Sequence, residues 1–320
     1  IVGYFIPVFS SKFAKQGGVE YRNAFADSNS YFLESLNGIK EILLFDKGAK
    51  VGVDVSGGGP ASRETHLADP TTADNPINAI VLAGGSAYGL AAADGVMRYL
   101  EEHGIGYDTG YARVPLVCQS CIYDLGFGSA GVRPDAAMGY EACEDAKANH
   151  PRSGNTGAGC GATVGKLCGM ERASKSGLGI YAVRLGRLEM AAVVVVNALG
   201  DIFDPENGKK IAGLRSEDGS GFADTREELY KLSKRTDMFT GNTTIGAVIT
   251  NGKFSKAEMN KIASMTRNAY ARCINPVGTL ADGDTIYAAS VGDVEADINV
   301  AGTLAAQVME RAIVNAIHAV

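Results

Sequence analysis

The stretch from Gly241 to Thr250 constrains the fold more than any other, because it passes directly from turn residues into an apolar run. Gly241, Asn242 and Thr243 are residue types common in turns, and the run that follows them, TIGAVIT, is rich in β-branched and apolar side chains. This pattern predicts a buried strand that begins just after Thr243. The rest of the chain is therefore expected to be arranged around that strand.

Asn242 and Thr243 stand at the junction between the turn and the strand. A threonine hydroxyl is a weak nucleophile unless a base takes its proton. One solution is to make the threonine the first residue of a chain, so that its own α-amine is the base. That solution requires a cut between Asn242 and Thr243. The alternative is an ordinary turn, in which both side chains only satisfy backbone groups at the start of a strand.

Other segments before this strand have recognisable patterns. Residues 42–55 predict a β-hairpin, because two apolar segments flank the turn sequence Asp46-Lys47-Gly48. The polar loop at 62–75 is long enough to cover another part of the molecule. Strand patterns recur at 79–83, 114–117, 121–126, 182–185 and 190–196, and helix patterns at 90–100 and 136–147. Residues 1–37 predict only an irregular arm or strand.

The remaining segments surround and follow Thr243. Residues 204–237 are polar and charged, and they predict a surface linker. Ser255 and Glu258 have the spacing of a capping box that opens a helix, and residues 285–288 form another strand pattern. The last helix carries one apolar stripe, formed by Leu304, Val308, Ile313 and Ile317. Strands and helices without a regular βαβ alternation predict an α/β (α+β) fold with helices layered on paired sheets.

Composition excludes several classes of function. With 320 residues, 46% of them hydrophobic, the chain is able to bury a large core. A net charge of −6 argues against a nucleic-acid partner. The sequence contains no apolar run of membrane-spanning length and no signal-peptide pattern, so we expect a cytoplasmic protein without a membrane partner. Six cysteines in such a chain favour reduced thiols.

Two glycine-rich nucleotide motifs are incomplete. A P-loop requires a glycine at position 160 and a serine or threonine after Lys166, but the chain has Cys160 and Leu167 there. The dinucleotide fingerprint that starts at Gly157 has Ala162 in place of its third glycine. We therefore predict no nucleotide cofactor.

Cysteines and histidines also fail to form a convincing site. Cys118 and Cys121 have the spacing of a redox or zinc pair, but no second pair accompanies them, and buried free thiols are the favoured interpretation. None of the four histidines is an obvious partner for a serine or cysteine nucleophile. We predict no metal, and a hydrolase with this sequence needs a base other than histidine.

Five motifs occur in an order that resembles the P1 (DmpA-like) peptidase family. That family includes L-aminopeptidase/D-esterases, β-peptidyl aminopeptidases and the nylon-oligomer (6-aminohexanoate oligomer) hydrolase, to which the motifs are most similar. The resemblance runs from about residue 38 to the C-terminus. Its motifs are GGSAYGLAAADGV at 84–96, GAGCGATVGK at 157–166, VNALGD at 196–201, GNTTI at 241–245 and DGDT at 282–285.

The resemblance implies an αββα sandwich of the N-terminal-nucleophile-hydrolase type. It implies a single catalytic domain, 1–320, that cuts itself between Asn242 and Thr243 into fragments 1–242 and 243–320. Thr243 would be the nucleophile and its new α-amine the base, while Asn197 would donate to the oxyanion. The family positions assign further site roles to Lys166 beside the nucleophile, the acidic pair Asp282 and Asp284, and the aromatic Tyr123.

Substrate and assembly are expectations from the same resemblance. It implies an amide hydrolase that acts on linear ω-amino acid oligomers, on peptides with a free amino end, or on both. The alternatives are an L-aminopeptidase/D-esterase, a β-peptidyl aminopeptidase, or an acyltransferase similar to the ornithine acetyltransferases, which also cut themselves before a threonine. A non-catalytic assembly protein would keep the architecture without the cut. We expect a homo-oligomer, with a tetramer of cleaved protomers as the assembly.

Overall fold

The computed structural model describes residues 42–148, 150–232 and 241–320. Eight strands follow one hydrogen-bonded order, β2-β6-β3-β1-β15-β13-β10-β9. In these described ranges, shorter strands form three small additional sheets, β12-β11-β14, β4-β5 and β7-β8. The strands are β1 (Ile42–Val55), β2 (Ala61–Arg63), β3 (Ile77–Ala83), β4 (Tyr107–Asp108), β5 (Arg113–Val114), β6 (Val117–Cys121), β7 (Thr163–Val164), β8 (Ser174–Lys175), β9 (Leu178–Leu185), β10 (Leu188–Val195), β11 (Asp201–Phe203), β12 (Lys210–Ala212), β13 (Ile245–Gly252), β14 (Ile274–Asn275) and β15 (Thr285–Val294).

Five α-helices lie within the described residues, and several of their bounds agree closely with the sequence patterns. The capping box of Ser255 and Glu258 is formed and opens the fourth helix, as predicted. The helices are α1 (Ala92–Glu102), α2 (Ala136–Lys147), α3 (Thr225–Tyr230), α4 (Lys256–Cys273) and α5 (Ile298–His318). None of them combines the length and the continuous apolar character that a membrane span requires.

The predicted hairpin at 42–55 is wrong, because this segment forms the single strand β1. Its first part pairs with β3 and its second part pairs with β15, and the register shifts between Leu44 and Ala49. Gly48, which resembled a turn residue, has φ +73° within this irregular stretch. The glycine therefore allows the strand to change partners instead of reversing the chain.

Within the described residues, three apolar cores separate four layers, which confirms the predicted αββα sandwich. The central core packs residues of β3 and β6, such as Leu82 and Cys118, against residues of β10 and β13, such as Val193 and Ile249. The second core lies between the opposite faces of β10 and β13 and the helices α4 and α5, and the third lies between β3 and α1. The apolar stripe of α5 is buried in the second core, so this helix uses the stripe inside the molecule.

Two regions that were predicted as loops contain ordered structure. The 62–75 loop is anchored by the buried Lys256, whose Nζ donates to the carbonyl oxygens of Leu67, Asp69, Thr72 and Ala73 at 2.7–3.2 Å. The predicted 204–237 linker instead forms β12 and α3 in its described part. Buried Asp201 organises this part, because its carboxylate accepts from Lys210 Nζ at 2.7 Å and from the Thr225 hydroxyl at 2.7 Å. Residues 1–37 and 233–240 lie outside the described residues.

The position of the Asn242–Thr243 bond follows from the sheet. Strands β13 and β15 are parallel neighbours, and Ile245 stands opposite Thr285. Strand β10 is antiparallel to β13, and its end at Val195 also stands opposite Ile245. The residues just before β13, just before β15 and just after β10 therefore meet at one edge of the sheet, which is where the sequence places Thr243, Asp284 and Asn197.

Candidate active site

Thr243 lies at this sheet edge and is almost completely buried, with 3% of its surface exposed. Its backbone N–H donates to the carbonyl oxygen of Asn197 at 2.9 Å. Its hydroxyl donates to the carbonyl oxygen of the preceding residue, Asn242, in a very short contact. The hydroxyl is therefore directed at the peptide bond that the sequence marks as the cleavage point.

Lys166 is buried directly beside this bond. Its Nζ donates to Asn197 Oδ1 at 2.7 Å, to the Asn197 carbonyl oxygen at 3.0 Å and to the Gly241 carbonyl oxygen at 3.2 Å. Burial lowers the pKa of Lys166 to about 7, although the nearby carboxylates of Asp282, Asp124 and Asp284 oppose that shift. The lysine can therefore change its charge near neutral pH, as few lysines do.

Asn197 links three parts of the site through its side chain. Its Oδ1 accepts from Lys166 and from the Thr163 N–H at 3.1 Å. Its Nδ2 donates to the Tyr123 carbonyl oxygen at 2.9 Å. The carboxamide thus fixes the strand end that carries Tyr123 in relation to the lysine, and the bond of its Nδ2 goes to Tyr123 and not to the carbonyl oxygen of Asn242.

Asp282 and Asp284 are both buried, with 1% exposure each, and they lie close enough to Lys166 to influence its charge. Their hydrogen bonds go to the protein around Thr243. Asp284 accepts from the Thr244 N–H at 2.7 Å and from the Gly278 N–H at 3.1 Å. Burial and the neighbouring Asp282 raise the pKa of Asp284 to about 7. The described residues contain no group of three or more His, Cys, Asp or Glu side chains that could hold a metal ion.

Tyr123 forms one wall of a small cavity at the Asn242–Thr243 bond. Gly241 packs against its ring, and a Cβ atom built on Gly241 would lie 1.8 Å from the ring. The cavity measures about 30 Å³, which is room for a water molecule. It is lined by Gly59, Ala61, Ser86, Cys121, Tyr123, Gly241, Asn242, Thr243 and Ala281.

The structure therefore brings all the residues proposed from the sequence to one place, and it adds others. Asp124 accepts from the Gly85 N–H at 2.7 Å, and its pKa is raised by burial. A Cβ atom built on Gly161 would lie 2.2 Å from Asp124 Oδ2, so two of the glycine motifs pack closely around this carboxylate. The sequence signal was an acidic residue directly after the Tyr123 position. Ser86, in the first glycine motif, also lines the cavity.

The Cys118 and Cys121 thiols do not form a joint site. Both cysteines are free, Cys118 lies in the central core and Cys121 in the core beneath α1. Burial raises the pKa of each thiol to about 12. The prediction of buried thiols is confirmed.

The four-layer architecture is shared with known aminopeptidase structures. The L-aminopeptidase D-Ala-esterase/amidase from Ochrobactrum anthropi, described as a variant of the Ntn-hydrolase fold, superposes with a TM-score of 0.59 at 17% identity. The match covers 85% of this chain and 73% of that one. This chain therefore shares the fold of that aminopeptidase.

Sequence comparison identifies the family. The profile of peptidase family S58 matches residues 38–320, and the chain belongs to that family. An uncharacterized aminopeptidase of Mycobacterium leprae is 38% identical over 80% of this chain and 71% of its own length. A 6-aminohexanoate-oligomer endohydrolase of a Kocuria species is 35% identical over 68% of this chain and 61% of its own length. The protein is an amide-bond hydrolase.

Proposed function

We propose that the chain cuts itself between Asn242 and Thr243 and then hydrolyses amide bonds with Thr243 as its N-terminal nucleophile. The observation that carries this proposal is the hydrogen bond from the Thr243 hydroxyl to the Asn242 carbonyl oxygen inside a buried site. The fragments 1–242 and 243–320 would remain together as one catalytic domain, because strands of both contribute to the same sheet.

The first step of the proposed cut is an acyl shift. Thr243 Oγ1 attacks the carbonyl carbon of Asn242, and the carbonyl oxygen becomes an oxyanion. When the oxyanion collapses, the C–N bond breaks and the hydroxyl proton ends on the departing nitrogen of Thr243. Asn242 is then joined to Thr243 by an ester. Water adds to this ester and releases the Asn242 carboxylate and the Thr243 hydroxyl, now next to a free α-amine.

The surroundings of Thr243 suit the second role, which is substrate turnover. The Thr243 N–H donates a hydrogen bond to the Asn197 carbonyl oxygen, which also accepts one from Lys166 Nζ. The same acceptor would hold the new amine beside the lysine. An unperturbed α-amine has a pKa of about 8, and a neighbouring ammonium group lowers that pKa. The amine would therefore be available as a base near neutral pH, and no histidine is required.

The substrate we propose is a linear ω-amino acid oligomer, such as a 6-aminohexanoate oligomer, or a peptide with a free amino end. Relatives named as oligomer endohydrolases and as aminopeptidases support both possibilities. A screen of 6-aminohexanoate oligomers against aminoacyl anilides separates them. Acyl transfer to ornithine, measured beside hydrolysis, tests the acyltransferase alternative.

Intact-mass spectrometry under denaturing conditions tests the cut itself. The wild type should give two fragments that divide between Asn242 and Thr243, and Thr243→Ala should give one intact chain. Thr244→Ala is a matched control, because the buried Thr244 hydroxyl has no hydrogen-bond partner among the residues that the structure describes. We expect this control to be cut normally. A wild type that stays whole after long incubation would rule out the proposed nucleophile.

A further inference from the structure

The carbonyl oxygen of Asn242 has a second hydrogen-bond donor besides the Thr243 hydroxyl. The backbone N–H of Gly283 donates to it at 2.9 Å. This oxygen is the atom on which negative charge would develop during the proposed cut. A donor at this distance, already in place before reaction, is what an oxyanion site requires.

The side chain expected to fill this role from the sequence is engaged elsewhere. Asn197 Nδ2 donates to the Tyr123 carbonyl oxygen, and Asn197 Oδ1 accepts from Lys166. Lys166 in turn bonds to the Gly241 carbonyl oxygen, one residue before the scissile carbonyl. The nitrogen that contacts the scissile oxygen therefore belongs to the backbone of Gly283.

The two aspartates on either side hold the Gly283 peptide in position. Asp282 Oδ2 accepts from the Thr279 N–H at 2.9 Å and from its hydroxyl at 2.7 Å. Asp284 Oδ1 accepts from the Thr244 N–H at 2.7 Å, which ties this segment to the residue directly after the nucleophile. The Asp282 carbonyl oxygen accepts from the Gly59 N–H at 2.9 Å. The peptide group between the aspartates thus has little freedom to turn away.

A glycine is needed at 283 because the backbone approaches the reacting atoms closely. A Cβ atom built there would lie 2.7 Å from the Gly59 carbonyl oxygen and 2.8 Å from Thr243 Oγ1. A side chain at this position would therefore displace either the nucleophile or the N–H donor.

We propose that the Gly283 N–H is the oxyanion donor for self-cleavage and that Asp282 and Asp284 position it. This inference rests on the proposed cut at Asn242–Thr243. As Thr243 Oγ1 bonds to the Asn242 carbon, the π electrons move onto the carbonyl oxygen, and the Gly283 N–H stabilises that charge. The electrons return when the C–N bond breaks and the ester forms. The hydrogen bond from the Gly283 N–H to this oxygen strengthens in the transition state, and the nitrogen keeps its proton.

The direct test replaces the N–H with an oxygen atom, which leaves the glycine geometry nearly unchanged. Glycolic acid is incorporated at position 283 by stop-codon suppression, and mild alkali cleavage of the resulting ester verifies its incorporation. Intact mass then follows self-cleavage over time. The matched control carries glycolic acid at position 159, because the buried Gly159 N–H donates to the Thr156 carbonyl oxygen at 2.8 Å, within the short 3-10 helix Gly157–Cys160.

We expect the ester at 283 to slow the cut on the order of a hundredfold or more, and the ester at 159 to leave it near the wild-type rate. Equal rates for the two esters would overturn the assignment of Gly283. An uncut wild type in the same experiment would instead refute the proposed function, so the two failures are distinguishable.

A second measurement does not depend on the folding of the ester variants. In uncut Thr243→Ala protein, hydrogen exchange of the Gly283 amide is followed by NMR. We expect strong protection, because the N–H is bonded to the Asn242 carbonyl oxygen inside the protein. Exchange at the rate of an unstructured amide would show that the donor is not directed at this oxygen, and the proposal would fail.

Discussion

Lys166 Nζ lies 3.2 Å from the carbonyl oxygen of Gly241, so a buried amino group contacts the residue two positions before Thr243. The same Nζ bonds to both oxygens of Asn197. The lysine thus connects the end of β10 with the segment that leads to the scissile bond. Without the Lys166 amino group, this connection between Asn197 and Gly241 would be lost.

Replacing this lysine should impair both self-cleavage and hydrolysis. We expect Lys166→Met to slow each on the order of a hundredfold, since the charge and all three hydrogen bonds are lost. The matched control is Lys175→Met, because Lys175 also donates to backbone carbonyl oxygens, those of Gly159, Ala162 and Ser176. Equal effects of the two variants on the cleavage rate would mean that Lys166 acts only through general stability.

Gly241→Ala should slow self-cleavage strongly. Gly241 has φ +76°, and the added Cβ would collide with the Tyr123 ring at 1.8 Å. Gly219 has φ +70°, but a Cβ atom built there would lie 3.9 Å from its nearest neighbour, Arg215 Nη2. Gly219→Ala therefore carries only the backbone cost of about 1–2 kcal/mol. Time courses of intact mass should therefore show slow cutting for the first variant and normal cutting for the second. Normal cutting by both variants would show that self-cleavage does not depend on the packing of Gly241 against Tyr123.

The stability of the uncut protein should depend on pH through Asp284. Its pKa in the folded protein, about 7, lies above the ordinary value of 3.8, so between these pH values the folded state binds more protons than the unfolded state. The contribution of this group to the free energy of unfolding therefore decreases as pH rises from 4.5 to 7. Urea unfolding in the Thr243→Ala background should show that Asp284→Asn gains stability relative to its parent over this range.

Asp218→Asn is the control for that pH dependence. Hydrogen bonds from Ser216 and Ser220 lower the pKa of Asp218 to about 2, so its contribution is lost only as the pH falls below 3.8. Its difference from the parent should stay constant between pH 4.5 and 7. An Asp284→Asn difference that is equally flat would show that this carboxylate ionises normally in the folded protein.

Lys256→Met should destabilise the protein without a direct effect on the chemistry. The variant leaves several partly buried carbonyl oxygens of the 62–75 loop without their donor, which we expect to cost on the order of 3 kcal/mol. Lys261→Met, at an exposed position of α4, should be nearly neutral. Urea unfolding of the two variants in the Thr243→Ala background measures the difference. Equal stabilities would mean that the loop does not depend on Lys256.

Local patterns were sufficient to predict the layers and most elements, because strands that are buried on both faces and capped helices have strong signatures. The bounds of α2 and the capping box of α4 are examples. The pattern around Gly48 was misleading, since a glycine with positive φ serves a reversal and a strand irregularity equally well. Only the pairing of β1 with both β3 and β15 distinguishes them, and the pairing with β15 joins residues more than 200 positions apart, such as Lys50 and Ser290.

The side chains of the candidate site were predictable from motifs, but their partners were not. No sequence pattern could assign the Asn197 carboxamide to the Tyr123 carbonyl oxygen, or indicate that the donor near the scissile oxygen is the N–H of Gly283. Almost every residue has a backbone N–H, so the sequence does not single out this donor. The motif shows only a glycine between two aspartates. Asp201 shows the same limit, because its partners Lys210 and Thr225 belong to a segment whose composition suggested a solvent-exposed linker.

The strand order has a consequence for how such a protein could be assembled. Strands β13 and β15 lie side by side in the interior of the sheet, with β1 on one flank and β10 on the other. A chain cut before Thr243 would hold these two strands on the shorter piece and both flanking strands on the longer one. Neither piece alone could complete the sheet, and neither could leave without breaking rows of backbone hydrogen bonds. The cut would then be irreversible in practice, because each piece would be held by strands of the other. Mixing separately made halves would be a poor substitute for folding the whole chain first and cutting it afterwards.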